Sequence, residues 1–469
     1  MEIISLEFMY FVLAALAVYY VLPGKLQNAF LLIASYYFYV LWSWKYAVVL
    51  VVLTIFNYTY AHLIKGDRKR KQVMLQIGVG VNLLVFGVML FGYKLEPGLN
   101  QILSNLGKPG WVVHILVPLG FSYAVLECIS YLVDVNRKLL PAHRNLVDFG
   151  LYLVYFPKMI SGPIARAKTF LPMLQEAKSI DNQIVTRSIG LVLTGLLRSI
   201  VFAGMLAMLS PDVYSDPERY SNTQLALDML AFGFILYNQF AGYTNIVRGV
   251  SGLFGLELAR NFRQPFFSQD FSDFWTRWHI SLSQWLRDYV YMPVSRSLLR
   301  RNPSRTNKAN LFVPPLATML ASGLWHGASL NLVLWGAING GYVVGEQILS
   351  LFRKTDPSRI KPLWQQILAG VTVVLLGTIS AVPFRYHLGA SRILLARLVK
   401  LNNWEMPDWR IFGMIGLSLL LDGLQQRSED ELFFLKLPNW VQGLLMAVAV
   451  LAIFGVNELQ SAVATFVYP

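Results

Sequence analysis

Charge is scarce in this sequence. Only 14% of its 469 residues are Asp, Glu, Lys or Arg, where soluble domains carry roughly a quarter. That excludes an ordinary water-soluble globule, which needs more polar residues to cover its surface. Cysteine is almost missing. The lone Cys128 cannot close an intramolecular disulfide, and no Cys/His spacing of the zinc type accompanies it. Acidic residues are in deficit, 26 against 40 basic ones, for a net charge of +14. Such a balance would suit nucleic acid, but no basic soluble module exists to carry that surface. In a polytopic membrane protein the excess of Lys and Arg belongs to cytoplasmic loops, where it also attracts anionic lipids or an acidic partner. No Gly-x-Ser-x-Gly elbow occurs, which disfavours a hydrolase-type serine. Internal repeats and low-complexity segments are absent too, so one membrane domain over 1–469 is expected, without a soluble module.

What abounds is apolar, at 55% of the residues. Apolar stretches run over 6–22, 29–42, 46–64, 73–93, 111–133, 146–160, 189–209, 225–246, 311–325, 330–351, 363–382, 411–421 and 441–454. A straight span needs roughly 20 residues, so 29–42, 146–160 and 311–325 are expected to be tilted, partly re-entrant or shielded by neighbours. The fold class is all-α and polytopic, with ten to twelve embedded helices. Met1-Glu2-Ile3-Ile4 lacks a basic run, and no small-residue cleavage site precedes Pro23-Gly24-Lys25, so the first stretch is expected to stay as a membrane helix.

Charge asymmetry sets the orientation. The cluster Lys65-Gly66-Asp67-Arg68-Lys69-Arg70-Lys71 goes to the cytoplasm, which puts the N-terminus outside. Arg137, Lys138 and Arg144 then fall inside. The basic loops 296–308 and 353–361 agree if stretch 146–160, short and carrying Asp148, Pro157 and Lys158, does not cross.

The segment 258–304 is unlike the rest. It mixes Arg260, Arg263, Asp270, Asp273, Arg277, Arg287 and Asp288 with Phe262, Phe266, Phe267, Phe271, Phe274, Trp275, Trp278 and Trp285. It is too polar to span lipid and too aromatic for a flexible loop. Aromatic side chains with a polar edge favour the membrane interface, so interfacial and re-entrant helices on the cytoplasmic side are expected.

Two of the six histidines stand out. His326 lies in Ser322-Gly323-Leu324-Trp325-His326-Gly327-Ala328, inside a run over 311–344 that holds no carboxylate, Lys or Arg. An ionisable side chain at membrane depth marks a functional site unless it is paired. His279, like His326, follows a tryptophan. A histidine there can be a base, a metal ligand, a proton relay or a satisfied core residue. A metal site needs at least three ligands, and neither histidine has carboxylates or cysteines at useful spacing. The small residues around His326 either open room for a substrate or allow close helix packing. Arg277, Arg287 and Asp288 read as an internal charge network holding the re-entrant element. Residues 296–308, with Arg296, Arg300, Arg301 and Arg305, read either as a solvated loop or as a docking surface for a phosphorylated donor such as coenzyme A.

The stretch Phe274-Trp275-Thr276-Arg277-Trp278-His279-Ile280-Ser281-Leu282-Ser283-Gln284-Trp285-Leu286-Arg287-Asp288-Tyr289, followed by Gly323-Leu324-Trp325-His326-Gly327-Ala328, resembles the membrane-bound O-acyltransferase (MBOAT) family. The bacterial alginate O-acetyltransferase branch is the nearest match. Supporting pieces are Ala34-Ser35-Tyr36-Tyr37-Phe38-Tyr39, Pro118-Leu119-Gly120-Phe121-Ser122-Tyr123, Ile129-Ser130-Tyr131-Leu132-Val133-Asp134 and Tyr155-Phe156-Pro157-Lys158-Met159-Ile160-Ser161-Gly162-Pro163-Ile164. The resemblance implies a ring of tilted helices around a thinned centre, with a tunnel reaching the histidine from both faces. It implies that His326 is the catalytic histidine and His279 the second position, with Trp275, Trp278, Trp325 and Asn245 supporting the tunnel. The implied reaction moves an acyl group, usually acetyl, from a cytoplasmic thioester (acetyl-CoA or an acyl-carrier protein) to an acceptor hydroxyl outside. No cofactor stays bound, and an extracytoplasmic acetyltransferase partner completes transfer to a polysaccharide. The location implied is the bacterial cytoplasmic membrane. Two departures stand out. Many members of that branch carry aspartate where this chain has Asn245, and the loop after Met292-Pro293 is longer and more basic than their glycine-rich turn.

An acceptor hydroxyl is a weak nucleophile until a base takes its proton, and imidazole is suited to that near pH 7. D-alanyl or other acyl transfer to an envelope polymer, a proton-coupled transporter or flippase, and a scaffold for an extracellular acyltransferase are the rival readings. Against the transporter, no repeated halves with matched broken helices are visible. The orientation is open to direct test. A single cysteine replacing Asn302 in a Cys128→Ser background should resist an impermeant thiol reagent on intact cells and react after permeabilisation. Labelling from outside would reverse the topology.

Overall fold

A computed structural model describes residues 3–105, 120–176, 178–210, 213, 217–304, 306–352, 362–400 and 403–460. Arg305, Pro118, Leu119, the basic stretch 353–361 and the first part of the apolar stretch 111–133 lie outside the described residues. Those described are helical, with no strand among them, and they form two compact units. One comprises Met1–Ser188 with Val247–Ala259, the other Ile189–Ile246 with Arg260–Pro469.

Six helical stretches among the described residues are long and apolar enough to cross a membrane: Trp44–Leu63, Arg68–Gly92, Asn182–Leu209, Asn222–Leu253, Leu363–Arg385 and Asn439–Val456. Leu6–Val21 is a shorter apolar helix. Their outward faces carry large exposed apolar side chains, Leu84, Ile367 and Leu451 among them. Water would penalise such faces and lipid does not. This is a membrane protein. The ten to twelve embedded helices expected include shorter stretches, and two of the apolar stretches fold with other boundaries. Stretch 146–160 breaks into Leu146–Val154 and a single turn at Phe156–Lys158. Nine helical residues span about 14 Å, under half of a hydrocarbon core. Stretch 411–421 errs the other way. Its helix runs over Trp409–Ser428 and continues past Asp422, which is fully buried.

The first unit is organised around a buried ion pair. Lys158 Nζ donates to Glu127 Oε1 at 2.7 Å and also to Oε2, while the Ala165 N–H donates to the same Oε1 at 2.8 Å. Glu127 stands on the helix Phe121–Asn136, so one carboxylate fastens both sides of the irregular turn that follows Leu146–Val154. Beside it, Ser35 Oγ accepts the Phe156 N–H at 3.1 Å, and Phe8, Phe11 and Phe38 pack on the Phe156 ring.

The second unit has the same device inside it. Arg198, in an apolar helical stretch, donates to Asp422, to Gln425 at 3.1 Å and to Asn238 at 3.1 Å. Tyr237 Oη adds a bond to Asp422 at 3.0 Å. That pairing explains how Trp409–Ser428 carries a carboxylate through its buried face. The tightest helix pair here is the hairpin of Lys308–His326 and Leu330–Phe352. A Cβ on Gly323 would meet the Leu332 carbonyl oxygen, and one on Gly336 the Met319 carbonyl oxygen. Glycine is what lets these two backbones touch.

The pair in the first unit generates a stability prediction. Lys158→Met should leave Glu127 buried with its ammonium partner gone and cost about 3–5 kcal/mol. Thermal unfolding in detergent should show this as a lowered midpoint, with much of the loss recovered in the Glu127→Gln/Lys158→Met double variant. Equal midpoints for the single and double variants would show that the charge pair does not hold the turn.

Candidate active site

Local chemistry shapes the aromatic segment first. Asp270 caps the helix Phe271–Arg277 by accepting the Asp273 N–H at 2.7 Å, a standard use of Asp before a helix. Glu346, from the hairpin helix Leu330–Phe352, accepts the Phe271 N–H and, at 3.1 Å, the Ser272 N–H. Tyr342, one turn away, stacks on Phe271 with centroids 4.5 Å apart. The segment therefore lies against the hairpin that ends at His326. The helix Ile280–Leu286 then continues without a break through a wider turn at Arg287–Tyr291 into Met292–Arg301, and this stretch is not among the six apolar ones.

His279 joins the first two of these helices. Its backbone is left-handed, at φ 42° and ψ 53°, a conformation that costs a non-glycine residue about 1–2 kcal/mol. Its side chain is 3% exposed. The ring meets Phe240 edge-on at 4.9 Å and Trp325 edge-on at 6.0 Å. His326 ends its helix, and its ring contacts Trp325 at 4.7 Å, Phe384 at 5.1 Å and Trp335 at 5.5 Å, each edge-on. Both imidazoles thus pack on one indole, Trp325.

They differ in access. His279 is buried, whereas His326 is exposed despite its aromatic surround. The small residues around His326 resolve in favour of close packing at Gly323, which sits against Leu332, with Ser322 buried. The opening at His326 arises instead where the helix stops at Gly327.

A cavity of about 300 Å³ lies nearby, lined by Trp275, Thr276, Ser283, Gln284, Arg287 and Thr318 among others. Trp275 links it to the histidine, since its ring stands edge-on to Trp335 at 6.0 Å. The lining is mostly apolar, with Ile280, Pro315, Met319 and Val343 beside the aromatic rings, and Arg287 is its one charged residue. Trp278 stacks on Phe274 at 5.5 Å and meets Phe262 edge-on at 5.1 Å.

The charged residues divide differently from expectation. Arg277 pairs with Asp273 at 2.8 Å on its own helix. Arg287 and Asp288 are exposed, and Arg287 borders the cavity. Arg296, Arg300 and Arg301 are not in a loop. They stand exposed on the helix Met292–Arg301, which begins just after the cavity-lining Tyr291. Asn245 is half-buried on Asn222–Leu253. Among the described residues, no three His, Cys, Asp or Glu side chains are grouped to hold a metal ion. Sequence reasoning missed Trp335, Phe384 and Glu346. The two aromatics read as ordinary core in apolar helices. Glu346 had a signal, as the carboxylate of an otherwise uncharged helix.

Comparison with known proteins bears on this arrangement. Residues 116–381 match the model of the membrane-bound O-acyltransferase family. The chain is 31% identical over 411 residues to the probable alginate O-acetylase of Pseudomonas putida, covering 86% of this chain and 81% of the relative. It is 26% identical over 355 residues to the peptidoglycan O-acetyltransferase of Helicobacter pylori, covering 69% and 66% respectively. It is 28% identical over 282 residues to the teichoic acid D-alanyltransferase of Streptococcus thermophilus, covering 58% and 65%. The family match takes in His279, His326 and the aromatic contacts between them, and the chain belongs to the membrane-bound O-acyltransferase family as an O-acyltransferase.

Proposed function

We propose that this enzyme moves an acetyl group from a cytoplasmic thioester to a hydroxyl acceptor, in the service of extracytoplasmic polysaccharide O-acetylation, with His326 as the general base. The observation that carries the reading is the pair of imidazoles on Trp325, one open and one closed. The open ring suits a base that must reach its substrate. His326 takes the proton of the acceptor hydroxyl while the oxygen attacks the thioester carbonyl carbon. The C–S bond breaks, the thiolate leaves, and it receives the proton from the imidazolium. The products are an O-acyl ester and a free thiol, with the imidazole regenerated. His279, closed off beside Trp325, orients the site or donates to the carbonyl oxygen as that oxygen gains charge.

In this reading the protein sits in the bacterial cytoplasmic membrane with its N-terminus outside, and a tunnel through a ring of helices brings the two substrates together. The segment 258–304 is interfacial and re-entrant on the cytoplasmic side. Trp275, Trp278, Trp325 and Asn245 support the tunnel, and an extracytoplasmic acetyltransferase partner completes transfer to the sugar. The relatives named for alginate and peptidoglycan O-acetylation support acetyl as the group carried. D-alanyl transfer to an envelope polymer is the second reading, favoured by the teichoic acid relative over a smaller share of the chain.

The test is thioester consumption by purified protein with acetyl-CoA and acceptor. His326→Ala should insert and fold yet lose at least about 10²-fold in turnover, the scale of a general base. His279→Asn should keep part of the activity, because an amide still donates a hydrogen bond, and His279→Leu should lose more. Near-normal turnover in folded His326→Ala would sink the assignment. Mass spectrometry of envelope polymers, with and without the protein, identifies the acceptor and the acyl group.

The arginine face generates a second expectation. If Arg296, Arg300 and Arg301 receive the phosphates of the donor, replacing all three with Gln should raise the donor KM and spare kcat, since a remote phosphate is bound equally in ground and transition states. Added salt should weaken the donor in the same way, because exposed charges are screened over about 10 Å at 0.1 M. Running the assay with free coenzyme A thioester and with carrier-bound thioester tells the two donors apart. Unchanged KM for both would exclude this face as the docking surface.

A further inference from the structure

His279 occupies a position its side chain does not serve. It is the N-cap residue of the helix Ile280–Leu286, yet it makes no side-chain cap bond. A helix start leaves its first backbone N–H groups without intrahelical acceptors, and here Ser281 is buried and Ile280 half-buried. Asn261 supplies both acceptors from outside the helix. Its backbone carbonyl takes the Ile280 N–H at 2.8 Å. Its Oδ1 takes the Ser281 N–H at 3.0 Å and the Ser281 hydroxyl at 2.9 Å. Asn261 is 1% exposed. The amide orientation follows from the chemistry, because a backbone N–H can only donate and so must face the oxygen. The other end, Nδ2, makes no hydrogen bond to a described residue. Asn261 therefore works here purely as an acceptor.

The left-handed backbone at His279 needs such an anchor. A non-glycine residue holds that conformation only where its surroundings over-determine it. On its N-terminal side the chain is tied as well, since the Arg263 N–H donates to the Arg277 carbonyl at 2.9 Å. With the cap supplied by Asn261, the imidazole is released from capping and turned towards Phe240 and Trp325. We propose that Asn261 is a positioning residue of the acyltransferase site: it caps the helix that His279 begins, and so fixes the His279 ring against Trp325. This rests on the proposed role of His279. It acts through His279 and touches no reacting atom.

The experiment is a cycle on the full-length protein, reading kcat, donor KM and thermal midpoint for Asn261→Leu and Asn261→Asp, and for Asn261→Leu combined with His279→Leu. Asn261→Leu should lower kcat by up to about 10²-fold, the effect of a misplaced group in a site, and leave donor KM unchanged. Asn261→Asp keeps the acceptor oxygen but brings a buried charge, so it should recover part of the kcat loss while lowering the thermal midpoint. In the His279→Leu background Asn261→Leu should add little, because coupled residues are not additive. Equal losses in both backgrounds would mean that Asn261 serves only general folding. If Asn261→Leu does not fold, Ser281→Ala removes one bond to the same oxygen. It should give a smaller kcat loss that vanishes in the His279→Leu background, and a silent Ser281→Ala overturns the proposal. A silent His279→Leu removes the role of His279 and this inference with it, whereas a damaging His279→Leu beside a silent Asn261→Leu removes this inference alone.

Discussion

A polar group buried among apolar neighbours must find its partner inside the protein, because lipid offers none. That constraint accounts for most of the polar architecture of this chain. Glu127 and Lys158 satisfy each other in one unit, with the Ala165 N–H taking up a further lone pair of the carboxylate. In the other, Arg198 and Asp422 do the same with Asn238, Gln425 and Tyr237 closing the set. Asp228 receives Arg385 at 2.7 Å together with the hydroxyls of Tyr386 and Ser210. Each pair costs desolvation, and each defines a single arrangement of its helices, because breaking it strands a charge.

The active-site region follows the same logic with weaker interactions. Its contacts are edge-on aromatic ones, worth about 0.5–1.5 kcal/mol apiece beyond area burial, and several act together on each ring. Trp325 carries both imidazoles, Trp335 joins the cavity wall at Trp275 to His326, and Phe384 arrives from Leu363–Arg385. Asn331 Nδ2 bonds the Pro383 carbonyl at 3.0 Å, so the start of the hairpin's second helix is tied next to Phe384. Glycine contacts inside the hairpin fix where His326 ends its helix. Packed helices thus hold the proposed base, which is what a site needs if small displacements are to be avoided.

The difference between the two histidines gives the site a direction. His326 stands where its helix terminates and is open. His279 stands in a strained turn and is closed. Strain at a site persists only when neighbours enforce it, and here the neighbours are named bonds: Asn261 to Ile280 and Ser281, and Arg263 to Arg277. The same turn carries Trp275 and Trp278 into the aromatic cluster, so backbone geometry and ring packing reinforce each other.

By itself the sequence determined the class. Low charge and long apolar stretches require lipid, and the two Trp-His motifs carry the family and single out His326 and His279 as candidates. It also marked stretch 146–160 as too short to cross, since Pro157 and Lys158 interrupt it. What it could not determine depends on contacts between residues far apart in the chain. Asp422 looked like the end of an apolar run, because its partner Arg198 is 224 positions away. Arg296 to Arg301 looked like loop, because their charge hid the helical spacing. The exposure of His326 and the burial of His279 were opposite in outcome although both follow tryptophan. Exposure depends on what other elements bring to each ring, Trp335 and Phe384 to His326 and Phe240 to His279, and only the packing decided it.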